Sequence, residues 1–351
     1  MGFRHGMFAA GFRILAATGA DRCLRLLARG RGVILMFHHV RPWRPREFAP
    51  NRVLEITPEF LDVVLTELRR ERFDIIPVDA VPDRLRSRAA GGPFAALTFD
   101  DGYRDNVDHA WPVLRRHNAP WTLFVTTDFV DGRGRLWWIE LEEAIARLDR
   151  VVCRGKCELP DLPSRTAVEK QGAFEAVYWH LRAGPEERLR AFMTDLAAQA
   201  DVDTGRLTTD LCLGWDEVET LAREPDVSIG AHTLSHPILA RCCAITATRE
   251  ITDSKALLER RLRRPVRHLA YPFGDPSAVG AREFRLARQA GYTTAITTRP
   301  AHVFPDHAAH LHALPRVSVN GLLQNKTALR GTLSGVPFWV WNRSRVLKIE
   351  R

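Results

Sequence analysis

The sequence predicts an α/β fold, a distorted (β/α)7–8 barrel interrupted by a helical insertion. Three observations predict it. Apolar runs of strand length alternate with segments of helical period, which is the signature of parallel strands joined by helices. The alternation breaks between about 131 and 214 and then resumes. Polar residues with chemical potential fall just after the apolar runs, where a (β/α) barrel gathers its strand ends into one mouth.

The elements follow in order. Residues 7–29 suggest an amphipathic helix, with Phe8, Phe12, Leu15, Leu26 and Leu27 set against Arg13, Arg22, Arg25 and Arg29. Such a helix suits either packing on the domain or an anionic membrane surface. Its apolar stretch, Met7 to Ala20, is broken by Arg13, so it is too short to span a bilayer and a poor secretory signal. Val33–Phe37 is the first strand and ends at His38-His39. Thr57-Pro58 starts a helix, with proline at its first position, that runs to about Phe73. Asp74–Val78 is a short strand, and 79–94 read as a loop rich in Pro, Gly and Arg. Ala95–Phe99 is a buried strand stopped by Asp100-Asp101-Gly102-Tyr103, and a helix over 105–117 leads to the strand Trp121–Val125. Beyond the insertion, strands are expected at Val227–Ala231, His268–Tyr271, Tyr292–Thr297 and Leu314–Val319, with helices near 248–263 and 281–290. Taken together these give a domain over 31–330, preceded by the helix of residues 1–30 and followed by a tail, 331–351.

The chain's 351 residues allow one barrel-sized domain or two smaller ones. A net charge of +9 favours acidic surfaces, yet no compact basic and aromatic reader motif is present, so nucleic acid is not an expected partner. The six cysteines are too few and too irregular for a disulfide framework, and Cys153 and Cys157 lack a second pair at zinc-site spacing. These features suggest a cytoplasmic chain, with peripheral contact at the inner face of the membrane through the first helix.

The chemistry lies at the strand ends. Asp100 and Asp101 are adjacent carboxylates, which repel unless a cation or proton separates them. His232 and His236 are four apart, so one turn presents both imidazoles on the same side. Two histidines and one aspartate suit zinc or another divalent transition metal, with positions left for water and substrate.

These motifs carry a resemblance. Thr98-Phe99-Asp100-Asp101-Gly102 followed by His232-Thr233-Leu234-Ser235-His236-Pro237 is similar to the first two motifs of the polysaccharide deacetylase family, the NodB-homology group or carbohydrate esterase family four. Tyr271-Pro272-Phe273-Gly274 resembles its third motif. The resemblance implies metal-dependent removal of N-acetyl groups from a polysaccharide, oligosaccharide or glycan precursor. It implies Asp100 as general base and Asp101, His232 and His236 as metal ligands, zinc foremost, with cobalt or nickel as alternatives. The backbone N–H of Phe273 would help hold the oxyanion, and Tyr103, Tyr271, Phe273 and Trp138 are the candidate substrate contacts.

Two departures leave roles open. The family's third-motif arginine, which orients the base, is missing; Arg316, on the last strand, is the expected substitute. The family's late Leu-any-His motif, source of the general acid, is absent in clean form, leaving His312 (with His310 beside it) and His38 as candidates. His39 should point away from His38. Two other readings compete: hydrolysis of small amides or cyclic imides on the same fold, and a non-catalytic carbohydrate-binding descendant.

Overall fold

The computed structural model describes residues 19–87, 91–153, 159–343 and 346. Eight strands form the main sheet: β1 (Gly32–Phe37), β2 (Asp74–Ile75), β3 (Phe94–Phe99), β4 (Trp121–Val125), β5 (Val227–Ala231), β6 (His268–Ala270), β7 (Thr294–Ile296) and β8 (Val317–Ser318). All pairings within it are parallel, in the order β7-β6-β5-β4-β3-β1-β8, with β2 also on β3. Leu314 bridges Ile296 of β7, and three residues later Val317 pairs with Leu35 of β1. This one segment closes the sheet into a distorted barrel.

Strand alternation decides what enters the barrel. Ile34, Ala96, Phe124, Ala270 and Ile296 form an interior cluster, while Val33, Leu35, Ala95, Leu97 and Phe99 face the larger core under the helices. Continuing that period of two past the strand ends directs His38, Asp100 and His232 inward. β1 and β3 are in register from Gly32 opposite Phe94 to Phe37 opposite Phe99. His38 and Asp100 therefore emerge side by side.

The expected helices after β1 are present among the described residues. Pro58–Arg70 is capped by Thr57, whose hydroxyl accepts from Phe60 N at 3.1 Å. Ala244–Leu262 and Ala281–Gln289 cover the later strands. The insertion is helical: Trp137–Arg147, Ala167–Ala183, Glu186–Gln199 and Thr204–Leu211 share a separate apolar core that includes Trp137, Trp138, Phe174 and Val177.

Two expectations are corrected. Residues 79–94 are not simply a loop, because Val81–Arg86 is helical and buries Val81, Pro82 and Leu85. Nor are the described residues of the expected tail, 331–343, without packed structure. Lys326–Ser334 and Val336–Trp341 are helices whose Leu329, Leu333 and Val336 are buried. The first helix is described as Ala20–Ala28, which packs beside those two helices. Its expected residues Phe8, Phe12 and Leu15 lie outside the described residues, as does Cys157. Cys23, Cys212, Cys242 and Cys243 are free thiols.

Candidate active site

At the mouth, a cavity of about 290 Å³ is lined by His38, Asp100, Asp101, His232 and His236 at its floor. The loops that bring them together use unusual backbone. Asp101, Thr233, His236 and Phe273 all have positive φ, between 59° and 73°. Side chains other than glycine enter that region at a cost of order 1–3 kcal/mol, and such strain concentrates where geometry is over-determined. Gly274 continues the third-motif turn at φ 64°, and a Cβ there would sit 2.6 Å from Thr298 N. Only glycine fits.

Hydrogen bonds hold the histidine loop. Thr126, just past β4, donates from its hydroxyl to His232 O at 3.0 Å. Glu250, on the helix that follows, accepts from Leu234 N and Ser235 N, each at 2.9 Å, and from the Ser235 hydroxyl at 2.7 Å. His232 Nδ1 lies 2.7 Å from Ala270 O, so it is the donor and Nε2 keeps its lone pair. That lone pair faces Asp101 Oδ1 at 3.4 Å, the same distance as His236 Nε2.

Asp101 Oδ1 is buried and accepts no hydrogen bond. The three ligand atoms lie within 4.8 Å of one another. A buried carboxylate oxygen without a donor, facing two imidazole nitrogens, is the chemistry of a metal site with open positions. Asp101, His232 and His236 could hold a divalent ion. Burial pushes the His236 imidazole down to about 3, so it is neutral at physiological pH, as a ligand must be.

Asp100 is bound differently. Arg316 Nη1 and Nη2 donate to its two oxygens at 2.7 and 2.6 Å, a two-pronged ion pair with both residues buried. The guanidinium also donates to Thr98 Oγ1 and Thr297 O, each at 3.1 Å. Burial alone would raise the Asp100 carboxyl; the Arg316 charge reverses this and keeps it below its ordinary value. Arg316 therefore stands where the missing third-motif arginine was expected to be replaced.

His38 lines the cavity beside the two aspartates, and burial lowers its pKa against their opposing charges. His39 turns away: its Nδ1 lies 2.7 Å from Asp105 Oδ2, beneath a stacked Tyr103. The helical insertion supplies the walls, with Trp138, Phe174, Tyr178 and Arg182 on the lining. Trp138 and Phe273 flank the His236 ring, with centroids 4.8 and 4.9 Å from it. Arg182 crosses from the insertion to pair with Asp275 and lies 4.4 Å over the Phe273 ring.

Three expected site residues are elsewhere. His312 is not on the cavity lining; its Nε2 lies 2.8 Å from Tyr292 O. Tyr271 is buried in the core, where its hydroxyl donates to His312 O at 2.9 Å. Tyr103 lies wholly buried below the floor, between His39 and the Cys212 strand bridge. Alternation past β6 sends the Tyr271 ring into the core, whereas Tyr103 lies in the turn after β3 and His312 in the segment ahead of β8. Sequence reasoning missed Thr126 and Glu250, whose roles come from partners distant in the chain with no local pattern to mark them; Thr98 was read only as part of the first motif.

Residues 87–295 match the family model described as polysaccharide deacetylase. No curated protein matches the chain by sequence. Among solved structures, a Streptococcus pyogenes deacetylase, PplD, solved with acetate, is 18% identical, covering 83% of this chain and 92% of its own, with a TM-score of 0.55. A Bacillus cereus polysaccharide deacetylase is 16% identical, covering 87% and 68%, with a TM-score of 0.54. IcaB from Ammonifex degensii is 18% identical, covering 87% and 98%, with a TM-score of 0.51. These likenesses establish the barrel, and the family match spans most of the chain. The chain belongs to the polysaccharide deacetylase family and is an N-deacetylase.

Proposed function

We propose that this protein hydrolyses the N-acetyl group of an N-acetylated sugar in a polysaccharide, oligosaccharide or glycan precursor, using a divalent ion, zinc foremost. One observation carries the reading. Asp100, fixed by the Arg316 fork, shares a buried floor with the Asp101, His232 and His236 set.

The bound ion would supply carbonyl polarisation and a more acidic water. The residues do the rest. Asp100, acceptor-only and held ionised by Arg316, takes the proton of the attacking water. The Arg316 fork limits the carboxylate to one orientation, so no entropy is spent orienting the base during the reaction. The developing oxyanion is met by the backbone N–H of Phe273. His38, beside Asp100 on the cavity lining, is placed to relay to the leaving amine the proton that Asp100 takes from the water. Trp138, Tyr178 and Phe273 offer ring faces to the apolar face of a sugar.

Acetate release from N-acetylglucosamine oligomers tests this, with Asp100→Asn beside the wild type and metal content measured on both. The variant should retain its metal and lose about 10²–10⁴-fold in kcat. Equal acetate release by the two proteins would remove Asp100 as base. Two metal-loaded proteins that both leave the oligomers untouched would point to small amides instead.

A further inference from the structure

We propose that the end of the barrel opposite the mouth docks on an anionic phospholipid bilayer. The surface is built from the helices Ala20–Ala28 and Val336–Trp341, which pack beside one another. They are clamped together. Gly335 approaches so closely that a Cβ would lie 2.3 Å from Ala28 O. Both nitrogens of the buried His302 ring meet a carbonyl, Arg29 O at 3.0 Å and Thr332 O at 2.9 Å. Outward from this clamp, large apolar side chains face solvent: Leu26 is 88% exposed, Leu27 62%, Val340 57% and Trp341 63%. Four such residues on two neighbouring helices are more than the scattered apolar exposure of an ordinary surface.

Charge selects the partner. Residues 1–29 carry Arg4, Arg13, Arg22, Arg25 and Arg29 against Asp21, and residues 335–351 carry Arg343, Arg345, Lys348 and Arg351 against Glu350. These two short segments hold seven of the chain's nine net positive charges. The remaining residues, more than four-fifths of the chain, are almost balanced. Glu71 answers Arg25 and Arg29 at 3.2 Å, and Arg343 is exposed. Apolar side chains to enter the acyl boundary, with arginines to meet lipid phosphates, are the two components of peripheral membrane binding. A second protein copy would meet the same positive charge and be repelled.

Position sets the orientation. The first helix leads directly into β1 at Gly32, and β1 ends at His38 on the cavity floor. Six residues of strand separate the two ends by about 20 Å. A molecule seated on lipid through Leu26, Leu27 and Trp341 therefore opens its mouth away from the bilayer. No described helix is long and apolar enough to cross a membrane, so the contact is one of surface docking.

Co-sedimentation of the full chain with vesicles tests the proposal. Binding is expected to phosphatidylglycerol–phosphatidylcholine vesicles, to weaken as salt is raised, and to be at least tenfold tighter than to phosphatidylcholine alone. The variant Leu26→Glu, Leu27→Glu should lose at least tenfold in vesicle affinity, with acetate release and melting temperature unchanged. Brominated lipid should quench wild-type tryptophan emission, and Trp341→Phe should remove most of that quenching. Equal partitioning onto neutral vesicles would overturn the proposal, as would undiminished binding by the double variant. A concentration-dependent dimer in lipid-free solution that Leu26→Glu dissolves would show that a second copy, not lipid, covers this face.

Discussion

The two ends of this barrel are built on opposite principles. At the mouth, polar side chains are buried: Asp100, Asp101, His232 and Arg316 are each 2% exposed or less. At the far end, apolar side chains are exposed, with Leu26 at 88%. Both arrangements cost stability, because polar groups prefer water and apolar groups avoid it. The mouth offsets its cost internally, through the Asp100–Arg316 fork and the loop bonds to Glu250. At the far end Leu26 and Leu27 remain largely in solvent. A buried polar cluster that is almost fully satisfied marks chemistry performed within the molecule. An unsatisfied apolar surface marks contact with something outside it.

Of the buried mouth atoms without a hydrogen-bond partner, which include His236 Nδ1 and Trp138 Nε1, Asp101 Oδ1 is the one that faces two imidazole nitrogens, and an ion there is the first test. Zinc at about a hundred times its Kd should raise wild-type stability by about 2.7 kcal/mol, read as a higher melting temperature. Asp101→Asn should abolish that rise. Acetate release should fall by at least ~10²-fold, since even partners one step removed from a metal are worth about 10–100-fold. An undiminished zinc-induced rise in Asp101→Asn would mean that the ion binds elsewhere.

Breaking the internal compensation comes next. Arg316→Leu leaves Asp100 buried and unpaired, which should cost about 3–5 kcal/mol in urea unfolding. Adding Asp100→Asn should recover most of that stability and none of the activity. If Arg316→Leu alone costs under ~1 kcal/mol, the fork is not what offsets burial of the carboxylate.

The far end is sharpened by pH, with the smallest effect. Burial pushes His302 down to about 4, although its two carbonyl contacts favour the charged ring. A depressed folded-state pKa means that the unfolded chain binds the proton more readily. Stability is thus complete above about pH 6.5 and declines as pH falls toward 4, by about 1–3 kcal/mol. Melting temperatures of wild type and His302→Asn across that window should diverge at high pH and converge at low pH. Parallel curves would exclude His302 as the source.

The same contrast explains what could be read from the chain. The strands were legible because buried parallel strands are continuous apolar runs, and the grouping of Asp101, His232 and His236 because each follows a strand end. His38 followed from alternation along β1. His312, Tyr271 and Tyr103 were misplaced because position near a strand end does not decide which side a ring takes. Residues 331–351 were taken for a tail, since the packing of Gly335 against Ala28 depends on a segment some three hundred residues earlier. Thr98, Thr126 and Glu250 act only through partners supplied by the fold.

The Asp100–Arg316 fork also has a consequence for how the protein is made. The two residues are 216 positions apart, and Arg316 lies in the segment that closes the barrel. At about 5–20 residues per second, a ribosome would synthesise the carboxylate roughly 10–40 s before its guanidinium partner. Throughout that interval the nascent chain has no permanent counter-charge for Asp100 and no sealed barrel in which to bury it. Closure of the sheet and pairing of Asp100 with Arg316 are therefore a single late event, and a truncated chain released before residue 316 would have neither.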